Sequence, residues 1–193
     1  MVTRFWWVRH GPTHAKSMVG WTDLAADLSD VAALARLSAH LPGEAVVVSS
    51  DLSRAVTTAD AIQGTRERLP HDPALREIHF GTWEMRGFAE VQAEAADHIR
   101  AFWETPGDIS APGGESWNTL AARVTAATDR LVSAHRGRDI IVTAHFGAIL
   151  AALQRAGGLA PEAVLAHRID NLSVTCLSHD ATGWHSHSIN HRP

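Results

Sequence analysis

Phe5-Trp6-Trp7-Val8-Arg9-His10-Gly11 is an unbroken apolar run that ends in a guanidinium, an imidazole and a glycine. Four consecutive large apolar residues between polar ones read as a strand covered on both faces. Open α/β sheets present their chemistry at the carboxyl ends of their strands, which is where Arg9 and His10 fall. A neutral imidazole can attack phosphorus, and an adjacent guanidinium can hold phosphoryl oxygens in a planar, two-pronged grip that lysine cannot copy. Taken alone, the same tripeptide also suits an ordinary solvated strand end, so the rest of the chain has to decide.

Four more short runs rich in β-branched or aromatic residues follow the one at Arg4–Arg9: Ala45–Ser49, Asp139–Thr143, Leu172–Leu177 and Trp184–Ile189. Between them, apolar residues recur at helical spacing: Val31, Leu34, Leu37 and Leu41; Val56, Ala59 and Ile62; Val91, Ala95, Ile99 and Phe102; Leu120, Val124, Ala127 and Leu131. Strands alternating with helices predict an α/β fold, a three-layer sandwich with a mostly parallel central sheet flanked by helices. Ala45–Val48 and Ile140–Val142 are apolar throughout, as central strands are. No linker or repeat divides residues 1–193, which are read as one domain. The segment from Gly81 to Pro112 reads as an insertion forming a small helical cap over the strand ends.

Two further strand exits carry chemistry. In Val48-Ser49-Ser50-Asp51-Leu52-Ser53-Arg54-Ala55, Ser50 or Asp51 is the expected N-cap, which places Arg54 in the first helical turn, where backbone N–H groups already favour an anion. In Ile140-Ile141-Val142-Thr143-Ala144-His145-Phe146-Gly147, His145 leaves its strand at the same edge as His10, with a helix expected from about Ala148. That imidazole can hydrogen-bond a phosphoryl oxygen. Phosphoryl transfer to His10 would also need an acid to protonate the departing oxygen. Glu77 and Glu84 compete for that role, and their spacing does not choose between them. Gly114-Glu115-Ser116 reads as an N-cap with a first-turn acid.

These motifs, in this order, resemble the histidine phosphatase superfamily in its phosphoglycerate-mutase-like branch, over nearly the whole chain from Arg4 to about Asn190. The resemblance implies that His10 is the phosphorylated nucleophile, that Arg9, Arg54 and His145 bind the phosphoryl group, and that Glu77 rather than Glu84 donates the proton. Two places depart from the family pattern. Pro12-Thr13 and Lys16 follow the first glycine, where Thr13 can still offer a hydroxyl to phosphate, and Phe146 follows the second histidine in place of the usual glycine. Gly20-Trp21-Thr22-Asp23 resembles the loop lining the substrate entrance. Trp21 and Phe146 are therefore candidates to meet substrate, although packing is the simpler reading of Trp21.

The implied activity is hydrolysis of a small phosphomonoester through a phosphohistidine, without metal or cofactor. Within the family, the motifs look most like the branch containing α-ribazole phosphatases, which makes α-ribazole 5′-phosphate a candidate substrate. A phosphoglycerate mutase-type transfer is the alternative, disfavoured because the chain lacks the longer insertions that mutases carry. A non-catalytic phosphate-binding module is the alternative from another class; the retention of both His10 and Glu77 speaks against it.

Composition is consistent with this. The 193 residues are 45% hydrophobic and 20% charged with a net charge of −4, which excludes a broad basic field for nucleic acid or an anionic membrane. Cys176 stands alone, so no internal disulfide forms, and a cytoplasmic location is expected. His185 and His187 alternate on one strand face with His191 beyond. With no carboxylate or cysteine to complete a ligand set they read as solvated, and no metal is expected. His40, His98 and His135 are assigned to the surface. Trp103, Trp117 and Trp184 suit either burial or a homodimer interface.

Overall fold

The computed structural model describes residues 1–193. Its sheet has six strands: β1 (Thr3–Arg9), β2 (Ala45–Ser49), β3 (Glu67–Arg68), β4 (Asp139–Ala144), β5 (Val174–Asp180) and β6 (Gly183–His191). They lie in the order β3-β2-β4-β1-β5-β6. The β1/β4, β2/β4 and β2/β3 pairs are parallel, and the β1/β5 and β5/β6 pairs are antiparallel. The all-apolar runs therefore do lie inside the sheet. The C-terminal hairpin runs longer than its sequence pattern predicts, because polar positions such as His185 and Ser186 still pair along β6. The two-residue β3 carries no apolar signal at all and pairs only through its backbone.

Helices cover both faces. α1 (Val31–His40) and α2 (Ser53–Gln63) pack Leu34, Leu37 and Ile62 against Val8, Val47 and Ile141 on one side. α4 (Trp117–Ala134) and α5 (Phe146–Gly157) pack Leu120, Val124 and Ile149 against Phe5, Trp7, Ile140 and Val142 on the other. Successive residues of β1 thus feed opposite layers, as strand geometry requires. A short α6 (Pro161–Leu165) follows. No helix is long and apolar enough to cross a membrane.

The segment read as a cap forms a 3₁₀ turn at Gly81–Trp83 and α3 (Phe88–Glu104), which bends at Ala95 (φ −140°, ψ 52°). Val91, Ile99 and Phe102 of α3 are buried in the larger core with Phe80 and Trp83. The segment is thus built into the body of the fold. His98, assigned to the surface, is half-buried there, its Nε2 2.8 Å from the Ser110 carbonyl. Burial accounts for the three tryptophans: Trp117 is buried, and Trp103 and Trp184 pack against the same core.

Helix starts differ from expectation at three places. Leu52, without a side-chain cap, precedes α2, because Ser50 turns its hydroxyl to the Leu52 N–H and Asp51 is engaged by Arg76. α5 begins at Phe146, two residues earlier than read, with His145 as its N-cap. Ser116 does cap α4, accepting from the Thr119 N–H, but Glu115 lies before the helix and binds Arg123 and the His79 N–H instead.

Glu84 is a clamp. Its carboxylate accepts from the backbone N–H groups of Gly20, Trp21, Thr22 and Phe80 and from the Thr22 hydroxyl. These five donors outweigh partial burial and hold its pKa below the usual carboxylate value. Gly20 must be glycine because a Cβ would overlap the Ile78 carbonyl and Glu84 itself. Glu84→Ala strands several half-buried N–H groups and is expected to cost about 1–3 kcal/mol, read as a lower urea midpoint with an unchanged m-value.

Candidate active site

Parallel pairing sets three strand exits level. Arg9 is in register with Ala144 and Ser49 with Thr143. Beyond them the His10 N–H donates to the Ala144 carbonyl and the Ser50 N–H to the Thr143 carbonyl, both at 3.1 Å. His10 follows β1, His145 follows β4 and Arg54 stands in the first turn after β2, so residues from three distant stretches gather at one edge. The two imidazole rings lie 5.0 Å apart, centroid to centroid.

The hydrogen bonds assign each ring its tautomer. His10 Nδ1 lies 2.6 Å from the Gly11 carbonyl, which can only accept, so Nδ1 carries the proton and Nε2 keeps a lone pair. His145 Nδ1 faces the Arg54 Nε–H at 3.3 Å and must accept, so its Nε2 carries the proton. That N–H is buried and has no partner in the protein, and neither does the Nε–H of Arg9. Two unpartnered buried donors beside an imidazole lone pair make a seat for an oxyanion, since each unmet donor costs about 1–3 kcal/mol.

Burial and the two guanidinium groups keep both rings neutral. Desolvation, then Arg54 and Arg9, push the His10 pKa down to about 3. Desolvation with His10 and the nearby arginines holds His145 well below the ordinary histidine value. Arg54 is 1% exposed and donates from Nη1 to the Thr22 carbonyl at 2.9 Å and from Nη2 to that of Gly20 at 2.5 Å. Arg9 donates to the Ile169 carbonyl at 2.6 Å, and its guanidinium lies over the Phe146 ring at 5.5 Å.

Glu77 joins this cluster and Glu84 does not. The carboxyl of Glu77 accepts from the N–H of Gly147, in the first turn of α5, at 2.9 and 3.1 Å, and from its own neighbour Ile78 at 2.9 Å. Desolvation raises its pKa, against the pull of those N–H groups and of Arg54 and Arg9. A Cβ at position 147 would overlap Glu77 Oε1, so glycine is required there. The Glu77 carbonyl accepts from the Trp21 indole at 2.8 Å and from Arg123 at 2.7 Å. The Trp21 ring lies between the Arg76 guanidinium and the His79 ring, each 4.6 Å from it. Trp21 therefore packs as a support for Glu77. Phe146 touches Arg9 and lines an apolar cavity beside Glu77. Thr13 is half-buried two residues beyond Gly11, and its hydroxyl is not bonded to any of the clustered side chains.

Two further residues position the His10 loop. The Asn171 amide donates to the His10 carbonyl at 2.7 Å, and the Gly11 N–H donates to the Thr58 hydroxyl at 3.0 Å. Asn171 comes from the loop before β5, and only a contact across 161 residues reveals it. Thr58, four residues after Arg54 on one helix face, belongs with Ala59 to the same motif of the family resemblance as Arg54. The C-terminal histidines are engaged separately: His185 with Asp180 and Thr182, His187 with Ser178, and His191 stacked on His40.

Comparison with known proteins supplies the context. A bifunctional protein of Mycobacterium tuberculosis is 32% identical over 157 residues, 74% of this chain and 41% of that protein, so the chain spans about two fifths of that relative's length. The adenosylcobalamin/α-ribazole phosphatase of Escherichia coli is 29% identical over 86% of this chain and 85% of its own. The glucosyl-3-phosphoglycerate phosphatase of Mycolicibacterium vanbaalenii is 36% identical over 80% of this chain and 74% of its own. Among solved structures, Bacillus stearothermophilus YhfR shares the fold with a TM-score of 0.88, covering 98% of this chain and 97% of that one at 23% identity. The model of the histidine phosphatase superfamily (branch 1) matches residues 5–192, and the chain belongs to that family.

Proposed function

We propose that the protein hydrolyses small phosphomonoesters through a phosphohistidine on His10. The observation that carries this reading is the complementary pair of tautomers: a lone pair on His10 Nε2, an unpartnered N–H on His145, and two guanidinium groups around them. His10 Nε2 attacks phosphorus as the ester oxygen departs with the proton of Glu77. Water then attacks the phosphohistidine, giving a proton to the Glu77 carboxylate, and phosphate leaves with His10 restored. Charge on the equatorial oxygens is met by Arg9, Arg54 and the His145 N–H, fixed before the reaction begins. The cycle calls on no metal or cofactor. α-Ribazole 5′-phosphate is the first substrate to test, on the name of the Escherichia coli relative.

Turnover of α-ribazole 5′-phosphate, 3-phosphoglycerate and p-nitrophenyl phosphate separates hydrolase from mutase. Release of inorganic phosphate from the first is expected, and a folded sample that turns over none of them would overturn the reading. His10→Ala is expected to reduce turnover to background and to abolish an acid-labile, alkali-stable label that wild type acquires during turnover. Full activity in His10→Ala sinks the mechanism.

Because the His10 pKa lies at about 3, His10 stays neutral across the working range and does not set the acid limb of kcat/KM. The alkaline limb belongs to Glu77, whose raised pKa keeps the acid protonated beyond the usual carboxylate range and whose deprotonation lowers activity as pH rises. Glu77→Gln is therefore expected to lose about 10²–10⁴-fold on alkyl phosphates, less on p-nitrophenyl phosphate, and to flatten that limb. An unchanged pH profile would assign the proton elsewhere.

A further inference from the structure

Beside Glu77, on the side bounded by Phe146, lies a partly enclosed cavity of about 40 Å³. Its walls are Ile78, Phe80, Trp103, Trp117, Phe146 and Leu165 among others, and seven of the ten residues around it are hydrophobic. Phe80 lies 6.0 Å from Trp103, and Phe102 meets Trp103 edge-on at 5.0 Å, so the aromatic walls are packed on one another. No Lys, Arg or His lines it, and Glu77 is its one ionisable residue. The cavity adjoins Glu77, the proposed proton donor, and shares Phe146 with the phosphate cluster, since the Arg9 guanidinium lies over that ring at 5.5 Å.

We infer that this cavity, open on one side, receives the part of the leaving group nearest the departing oxygen, and that the protein selects phosphomonoesters in which that part presents uncharged carbon surface and no carboxylate. The inference rests on the phosphatase reading above and narrows it. An apolar group entering the cavity sheds water against apolar walls. A carboxylate there would be stripped of water with no cation to meet it, next to a group that can itself become anionic. The class admits α-ribazole 5′-phosphate, which carries no carboxylate, and excludes phosphoserine, 3-phosphoglycerate and the glucosyl-3-phosphoglycerate in the name of the Mycolicibacterium relative.

Benzyl phosphate and O-phosphoserine are both primary alkyl esters, so their comparison isolates the leaving-group contact from the chemistry of the departing oxygen. Wild type is expected to show kcat/KM about tenfold or more in favour of benzyl phosphate, the scale on which an apolar pocket discriminates. Trp103→Ala is expected to erode that ratio by lowering the benzyl value alone. Leu165→Lys, which brings an ammonium to the cavity, is expected to erode it by raising the phosphoserine value. Equal or better use of phosphoserine by wild type overturns the inference and leaves the phosphatase reading standing. If folded wild type hydrolyses neither ester yet releases phosphate from p-nitrophenyl phosphate, the inference falls and the phosphatase reading stands; if p-nitrophenyl phosphate, α-ribazole 5′-phosphate and 3-phosphoglycerate are refused as well, the phosphatase reading itself falls. The wild-type ratio decides the matter even if a variant does not fold.

Discussion

Arg54 is 1% exposed, and each nitrogen of its guanidinium has a partner: His145 Nδ1 and the carbonyls of Gly20 and Thr22. A charge held that deep is tolerable only if its donors are met and an anion completes the account. The bond to His145 fixes the tautomer of that ring, and the bonds to Gly20 and Thr22 tie the charge to a loop. The loop in turn is held by Glu84. Electrostatics around His10, the direction of the free imidazole N–H and the shape of the adjoining loop are therefore one problem with one solution.

Glu77 is fixed by the same loop from another direction. Trp21, between the two loop carbonyls that hold Arg54, donates its indole N–H to the Glu77 carbonyl. Arg123 donates to that carbonyl and also to the carboxylate of Glu115. The carboxyl end meets the first turn of α5 through Gly147. A buried acid whose main chain and side chain are both anchored has little freedom to turn towards water, which suits the proton transfer proposed for it.

Most of this arrangement was readable from residues, for a physical reason. β1, β2 and β4 are inside the sheet, so each reads as a continuous apolar run, and the polar residue that breaks the run marks the exit where chemistry collects. His10, Arg54 and His145 were legible on that account. The choice of Glu77 over Glu84 was not legible from spacing, because both follow loops and only the fold shows that one faces α5 while the other faces five donors from two loops. The cap of α2 was misread because Ser50 and Asp51 had other partners, and a side chain's preference for capping does not reveal a competing bond formed across the fold. β3 was invisible because a two-residue edge strand has no face to bury. Asn171 lacked any local signature.

The two neutral imidazoles tie proton binding to anion binding. In the unfolded chain both rings would accept a proton below about pH 6.5, whereas inside the native protein burial and the arginines deny it to them. Acid therefore favours the open chain over the native one. An oxyanion lodged between the rings opposes the field of the arginines, which is the smaller part of that effect after burial itself. A bound anion that favours the native protein therefore also lends it tolerance to acid, through the same two buried rings.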